Sequence, residues 1–313
     1  MVFRVVSRCR PATVDEREQS SACSYDPDGQ HVTVRVDRAR SAAVGCVERH
    51  FAFDRAFTAR ATQSDIYDAV GKPLVASILA GFNAGILAYG QSGSGKSHTM
   101  FGPPPQRGSG IYDGLCDPVH AGLVPRLMEK LFATMARASA HNYQLDFQLT
   151  CKFVEIYQDK LVDLLAPAAC SGARARGCSL AQGAGMAIRV ISTEVPVFSA
   201  EDVLGALRAG LSRREVGSTA LNSTSSRSHA IFVLYLRATD GESGEIRRSE
   251  LHLADLAGSE SAASASSTKQ AAEGRMINTS LVHLGNVIRH LASGRKAESF
   301  LFRQSKLTRI LAN

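Results

Sequence analysis

Hydrophobic positions along the chain repeat with two periods, about two residues in some stretches and three to four in others, and the stretches alternate. Val2–Val6 is a compact apolar strand, and the ladder ends where Pro11 removes a donor. Residues 14–30 are polar, with Asp26-Pro27-Asp28-Gly29 marking a turn. His31–Val36 alternates as a strand, and His50–Phe53 begins another. Thr62-Gln63-Ser64-Asp65 opens a helix whose face is Ile66, Val70, Leu74, Ile78 and Leu79 and which runs to Gly81. Ile86–Tyr89 suits a buried strand, and Ser97–Met100 opens a helix. Gly102–His120 is rich in proline and glycine and reads as an irregular surface loop. Further helices are predicted over Leu123–Met135, Ala200–Leu211, Arg275–Ala292 and Ser305–Leu311. Further strands fall over Gln144–Tyr157, Ile188–Ile191, Ile231–Leu236 and Leu251–Ala254. Two segments break the pattern: residues 166–187, biased to Ala, Gly, Ser and Arg, and residues 261–272, rich in Ser and Ala. Both read as mobile loops. Strands alternating with helices predict a three-layer α/β/α sandwich.

Composition narrows the function little. The hydrophobic fraction of 44% and charged fraction of 21% are those of an ordinary globular domain, and 313 residues suffice for one large core. No apolar run has the length of a membrane span, and the first residues do not form a signal peptide, so no membrane insertion is expected. Seven cysteines without a C-x-x-C pair argue against a disulfide framework or a zinc site and fit a cytosolic chain. The net charge of +7 favours an acidic partner. The lack of tryptophan argues against a base-stacking surface, so no nucleic-acid partner is expected.

The most informative stretch is Gly90-Gln91-Ser92-Gly93-Ser94-Gly95-Lys96-Ser97, which reads G-x-x-x-x-G-K-[ST] between an apolar strand and a helix start. Glycines at 90, 93 and 95 let successive backbone N–H groups turn inward around a phosphate chain. Lys96 supplies a charge for the outer phosphates, and Ser97 offers a hydroxyl to Mg²⁺. A Gly/Ser-rich surface turn is the blander reading, and the flanking strand and the Lys-Ser pair weigh against it.

Two other stretches carry candidate chemistry. Asn222-Ser223-Thr224-Ser225-Ser226-Arg227-Ser228-His229 packs hydroxyls and a guanidinium between a helix and a strand; alone, it is better explained as a serine-rich turn with a solvated arginine. Asp255-Leu256-Ala257-Gly258-Ser259-Glu260 follows a buried strand, where a carboxylate can hold Mg²⁺ through water.

With these stretches, the ordered set Arg8-Cys9-Arg10-Pro11, Phe53–Phe57, Gln63–Tyr67, Ala88–Ser97, Glu155-Ile156-Tyr157, Asn222–His229, Asp255–Glu260, Ile277–Leu281 and Arg303–Arg309 resembles the kinesin motor domain over essentially the whole chain. The resemblance implies a phosphate-loop nucleoside triphosphatase fold with a mixed central sheet, ATP as substrate and Mg²⁺ as cofactor. It implies a microtubule-stimulated ATPase that moves along microtubules in the cytoplasm. A non-motile module that binds microtubules or nucleotide without productive cycling is the alternative.

The resemblance also assigns residues. Arg8, Arg10 and Pro11 would border the adenine, with His98 near it. Residues Gly90, Gln91, Ser92, Gly93, Ser94, Gly95, Lys96 and Ser97 would cradle the phosphates. Ser97, Ser226 and Asp255 would serve the metal, and Ser225, Arg227, Gly258 and Glu260 would act in catalysis. An Arg227–Glu260 ion pair would close the site. Arg295, Lys296, Arg303, Lys306 and Arg309 would face tubulin. The chain departs from the family in three places. The segment after Glu260 is less basic and less glycine-rich than is usual. The family continues past Asn313 into a strand, a helix and a neck linker, so a motor domain truncated at its C-terminal end is expected. The usual N-terminal extension is also lacking. Dimerisation, if present, would use segments outside this chain.

Overall fold

A computed structural model describes residues 3–13, 16, 22–37, 46–104, 113–115, 117–167, 178–182, 188–220, 224–260, 268–295 and 298–312. The chain divides into two compact units, Met1–Ile66 and Tyr67–Asn313.

In the first unit, strand β1 (Val6–Arg8) pairs in parallel with β5 (Arg55–Phe57). The ladder begins later than the apolar run suggests, and it ends before Pro11, where no backbone donor exists. Strands β2 (Cys23–Tyr25), β3 (His31–Asp37) and β4 (Cys46–Ala52) form an antiparallel meander. Strand β2 is hidden in the polar stretch before the Asp-Pro-Asp-Gly turn. It pairs because that turn folds it back on β3: Asp28 Oδ1 accepts from the Gln30 and His31 N–H groups, and Gly29 has φ 68°. Thr62 and Asp65 cap helix α1 (Gln63–Ile66) reciprocally, Thr62 N–H donating to Asp65 Oδ2 at 2.8 Å and Asp65 N–H to Thr62 Oγ1 at 3.2 Å.

The helical run continues as a π turn over Tyr67–Gly71 and as helix α2 (Lys72–Leu79). Pro73 accounts for the irregularity, since it cannot donate four residues back and its ring crowds the carbonyl there. Strand β6 (Ala84–Ala88) precedes the glycine loop, and helix α3 (Lys96–Phe101) follows it. Helix α4 (Leu123–His141) leads to β7 (Leu145–Tyr157), β8 (Lys160–Asp163), β9 (Ser179–Gln182), β10 (Ile188–Ile191) and β11 (Val195–Val197). Then come α5 (Ala200–Ala220), β12 (His229–Asp240), β13 (Ile246–Asp255), α6 (Thr268–Ala292), α7 (Ser299–Phe302) and α8 (Lys306–Ile310).

The main sheet runs β11-β7-β12-β13-β6, with β8 on the other half of β7. The β7–β12–β13 ladders are antiparallel and β13–β6 is parallel, which makes the sheet mixed. Alternate side chains serve opposite faces. On one face Phe153 and Phe232 meet edge to face at 5.7 Å between ring centroids. Leu127, Leu131 and Leu207 are buried too. On the other face Val154, Ile231 and Ala254 pack with Ile277, Leu281 and Leu284 of α6 and Leu307 and Ile310 of α8. Ile277, Leu281 and Leu284 recur at helical spacing and so share one face of α6.

Two segments read as loops carry regular structure. Ser179–Gln182 is a strand, paired with β10, and Thr268–Ala292 is helical from before the predicted start at Arg275. Small residues weaken the hydrophobic period without forbidding either conformation. Residues 168–177, 183–187 and 261–267 lie outside the described residues.

The β7–β8 turn has an unusual backbone. Gln158 and Asp159 sit at φ 49° and 54°, the left-handed region that L-residues avoid. A two-residue hairpin with the sheet's own twist demands both angles. Asp159 Oδ1 accepts from Lys306 N–H at 3.3 Å, which ties the turn to the first residue of α8.

Candidate functional site

Strands β6 and β13 run in parallel, so their carboxyl ends lie side by side, Ala88 opposite Asp255. The glycine loop leaves one strand and the Asp255–Glu260 segment the other. Crevices outside the carboxyl ends of parallel strands are where α/β sheets bind ligands.

The loop is built by its glycines. Gly90, Gly93 and Gly95 have φ of 152°, 77° and 92°. A Cβ on Gly90 would lie 2.8 Å from Ser94 Oγ, so that position also lacks room for a side chain. Lys96 folds back over the loop and donates from Nζ to the carbonyls of Gly90 and Gln91, both at 3.0 Å. Burial lowers the pKa of its ammonium, opposed by Asp255 and Glu260. Ser97 Oγ donates to Asp255 Oδ2 at 2.6 Å.

Asp255 is 1% exposed and its Oδ2 also accepts from Arg214 Nη1 at 2.9 Å. Arg214, 6% exposed, further donates from Nη2 to the Ser228 carbonyl at 3.0 Å, and its Nε lies 3.7 Å from Glu155 Oε1. Ser228 Oγ donates to that same Glu155 oxygen at 2.5 Å. Arg214 thus joins the Asp255 segment to the end of the serine turn, Thr224–Arg227, a short 3₁₀ helix. The turn and the acidic segment also meet through backbone, Gly258 N–H donating to the Ser226 carbonyl at 2.8 Å. Ser259 N–H reaches the Gly90 carbonyl at 3.2 Å.

Glu260 takes a different partner from the one the resemblance implies. Its Oε2 accepts from Ser92 N–H at 2.8 Å and its Oε1 from Ser92 Oγ at 2.5 Å, and among the described residues it makes no ion pair with Arg227. Burial raises its pKa, but the two Ser92 hydrogen bonds outweigh this and the net shift is downward. A Cβ on Gly258 would collide with this carboxylate and with Ser92 Oγ, so a side chain here would have to displace the Glu260–Ser92 contact.

The remaining predicted residues are placed as follows. Of Ser225 only the backbone is described, in the 3₁₀ turn. Arg227 is half-buried at its end. His98 is in α3. Arg8 and Arg10 are in the first unit, where Arg8 Nη1 donates to Gln63 Oε1 at 2.9 Å and Arg10 Nη2 to both Glu16 oxygens, next to Pro11. Arg295 and Arg303 are exposed, Lys306 and Arg309 are half-buried, and Lys296 lies outside the described residues. Exposed Met276, Val282 and Phe300 belong to α6 and α7, the helices on either side of Arg295.

Sequence reasoning misses Arg214, because the helical pattern over Ala200–Leu211 stops short of it, whereas α5 runs to Ala220. Two adjacent arginines just before a serine-rich loop were the available signal. Glu155 belongs to the Glu155-Ile156-Tyr157 motif without an assigned role, and Ser92, expected among the residues that cradle the phosphates, bonds Glu260.

The donor set fits Mg²⁺. A serine hydroxyl and a carboxylate meet at 2.6 Å, and Asp255 Oδ1, buried, has no hydrogen-bond partner among the described residues. Hard oxygen donors of this kind, with one oxygen unclaimed, suit a cation that keeps part of its water.

A mixed sheet flanked by helices, with a glycine loop after one parallel strand and an aspartate after its neighbour, defines a phosphate-loop nucleotide-binding α/β protein. A family model for the kinesin motor domain matches residues 8–313, and the chain belongs to that family. It is 34% identical to kinesin-related protein 3 of Dictyostelium discoideum, over 99% of this chain and 24% of that protein. It is also 34% identical to the kinesin heavy chain of Neurospora crassa, over 99% of this chain and 31% of the relative. The chain therefore spans about a quarter to a third of the length of these relatives. A solved structure of a fast kinesin, described for its ATPase mechanism and its interactions with microtubules, superposes with a TM-score of 0.80. That match has 34% identity and covers 99% of this chain and 80% of the other.

Proposed function

We propose that this chain hydrolyses ATP and couples the reaction to movement along microtubules in the cytoplasm. The observation that carries the reading is the hydrogen bond of Ser97 Oγ to Asp255 at the end of the glycine loop, with the second Asp255 oxygen unclaimed among the described residues. One carboxylate and one hydroxyl meet where the metal of a terminal phosphate belongs.

In this reading the loop amides of residues 90–97 and Lys96 bind the phosphate chain. Arg8, Arg10, Pro11 and His98 hold the adenine. Ser97, Ser226 and Asp255 hold Mg²⁺, which when bound neutralises charge on the outer phosphate oxygens. Ser225, Arg227 and Glu260 orient the attacking water, and the Gly258 amide senses the terminal phosphate. The water oxygen forms the new bond to phosphorus and the bond to the bridging oxygen breaks. The products are ADP and inorganic phosphate, with the water's protons passing to phosphate and solvent. Positioning and charge supply most of the catalysis in such transfers.

Arg295, Lys296, Arg303, Lys306 and Arg309 give the α6–α8 region a positive charge suited to the acidic surface of tubulin. Phosphate release measured with and without microtubules tests the reading. Stimulation by microtubules in the wild type, abolished by Asp255→Asn, is expected. A turnover unaffected by both microtubules and Asp255→Asn rules the reading out.

A further inference from the structure

His229 opens β12, directly after Ser228, and is 3% exposed. Both ring nitrogens are engaged. Ala257 N–H donates to Nδ1 at 3.0 Å, so Nδ1 carries the lone pair. The ring proton therefore sits on Nε2, which donates to Ser280 Oγ at 2.8 Å. Ser280 Oγ donates in turn to the Ile277 carbonyl, 2.7 Å away in the same helix. One backbone N–H thus fixes the direction of every bond from the Asp255–Glu260 segment through the imidazole to the middle of α6.

A second link between the same parts, Asn278 Nδ2 to the Glu260 carbonyl at 3.2 Å, is exposed, and water competes for it. The Ala257–His229 bond is buried and the His229–Ser280 bond partly so, and a bond broken there leaves a desolvated polar atom behind. The link also lies one residue from Gly258, whose amide is held by Ser226. Any shift of Gly258 therefore pulls on Ala257. The ring must follow, taking Ser280 with it, or else leave a buried donor unmatched.

We propose that His229 is a positioning residue that couples the Asp255–Gly258 segment to helix α6. The proposal rests on the nucleotide-binding motor reading given above, since nucleotide moves the one and tubulin touches the other. His229 itself touches neither. Its part is to make the position of the Ala257 amide and that of Ser280 a single variable.

The test measures residue-level hydrogen exchange of the whole chain, with and without a non-hydrolysable ATP analogue and Mg²⁺. In the wild type the analogue is expected to change exchange of the α6 amides over Ile277–Leu284 by about fivefold or more, the lower range of site-to-site coupling. Ser280→Ala cuts only the helix end of the link and is the mild variant. It should reduce that change to less than about twofold, with analogue affinity within about threefold of wild type. His229→Asn, which keeps a polar group toward Ala257 alone, should repeat this result. The proposal is overturned if Ser280→Ala transmits the same change, or if affinity falls in step with transmission, the mark of a residue that only supports the pocket. A wild type that binds the analogue without any response in α6 also overturns it, and leaves the ATPase reading standing. A wild type that binds no analogue overturns the ATPase reading instead. The link is then decided by ¹⁵N spectra of the unliganded chain, in which a ring carrying its proton on Nδ1 would refute it.

Discussion

The glycine loop and the Asp255–Glu260 segment leave neighbouring parallel strands, yet they are held in opposite ways. The loop is held by its own covalent geometry. Glycines at the positive φ angles, Ser94 against Gly90, and Lys96 folded on the carbonyls of Gly90 and Gln91 are all within eight residues. The acidic segment has almost no local support. Leu256 N–H bonds to Ala88, Ala257 to His229, Gly258 to Ser226 and Ser259 to Gly90, while the side chains of Asp255 and Glu260 reach Arg214 and Ser92. Six successive residues thus depend on partners in six other places. The loop supports itself, and the position of the segment sums those of its neighbours.

This contrast predicts different consequences for mutation. The largest effect is expected at Arg214. Arg214→Ala leaves Asp255 buried beside an empty space, and breaking such a buried pair costs roughly 3–5 kcal/mol, read by urea denaturation. If stability holds within about 1 kcal/mol, the segment has local support not accounted for here. Next is Lys96→Ala, a change inside the self-supporting loop. Phosphate release should fall by about 10²–10³-fold, while stability drops by no more than about 1–2 kcal/mol, because the glycine angles still shape the loop when the two carbonyl bonds from Nζ are lost. A large drop in stability would erase the distinction between the two regions.

A third effect is set by pH. Burial, and then Arg214, push the His229 pKa down to about 4 from an ordinary 6.5. Between those values the unfolded chain binds a proton that the folded chain refuses, so stability falls as pH drops through that window and is fully present above it. The loss amounts to roughly 3 kcal/mol. Denaturation at pH 7 and pH 4.5 should show a difference that His229→Gln reduces. The smallest effect is that of Ser92→Ala. Removal of one hydroxyl donor should cost no more than about 1 kcal/mol and let the Glu260 carboxyl titrate higher, as NMR would show.

The same contrast explains what was legible in the sequence. The loop could be read because its chemistry is contiguous and its glycines have one physical use. The strands around it were equally plain, since buried runs such as Leu251–Ala254 admit little else. The partners of the acidic segment were not, because Arg214, Ser226, Ser92 and His229 are spread along the sequence and reach the segment only when the sheet brings its strand ends together. Glu260 shows the limit best. The family motif names its position, while the atom that it bonds, Ser92 N–H, is chosen by how close two loops come. Polar strands such as β2 and β9 escaped for a related reason, since their pairing is decided by a turn or a neighbour and not by their own period.

The paired left-handed residues of the β7–β8 turn give the molecule a small mechanical asset. Holding Gln158 and Asp159 there is costly, and Asp159 recovers part of the cost through Lys306 N–H. Strand β7 and the shortest basic helix are thereby joined at a joint that resists flexing. A force applied at Lys306 is handed to β7 through a stiff elbow, while a glycine pair in its place would give a slack hinge in which the same pull would be dissipated.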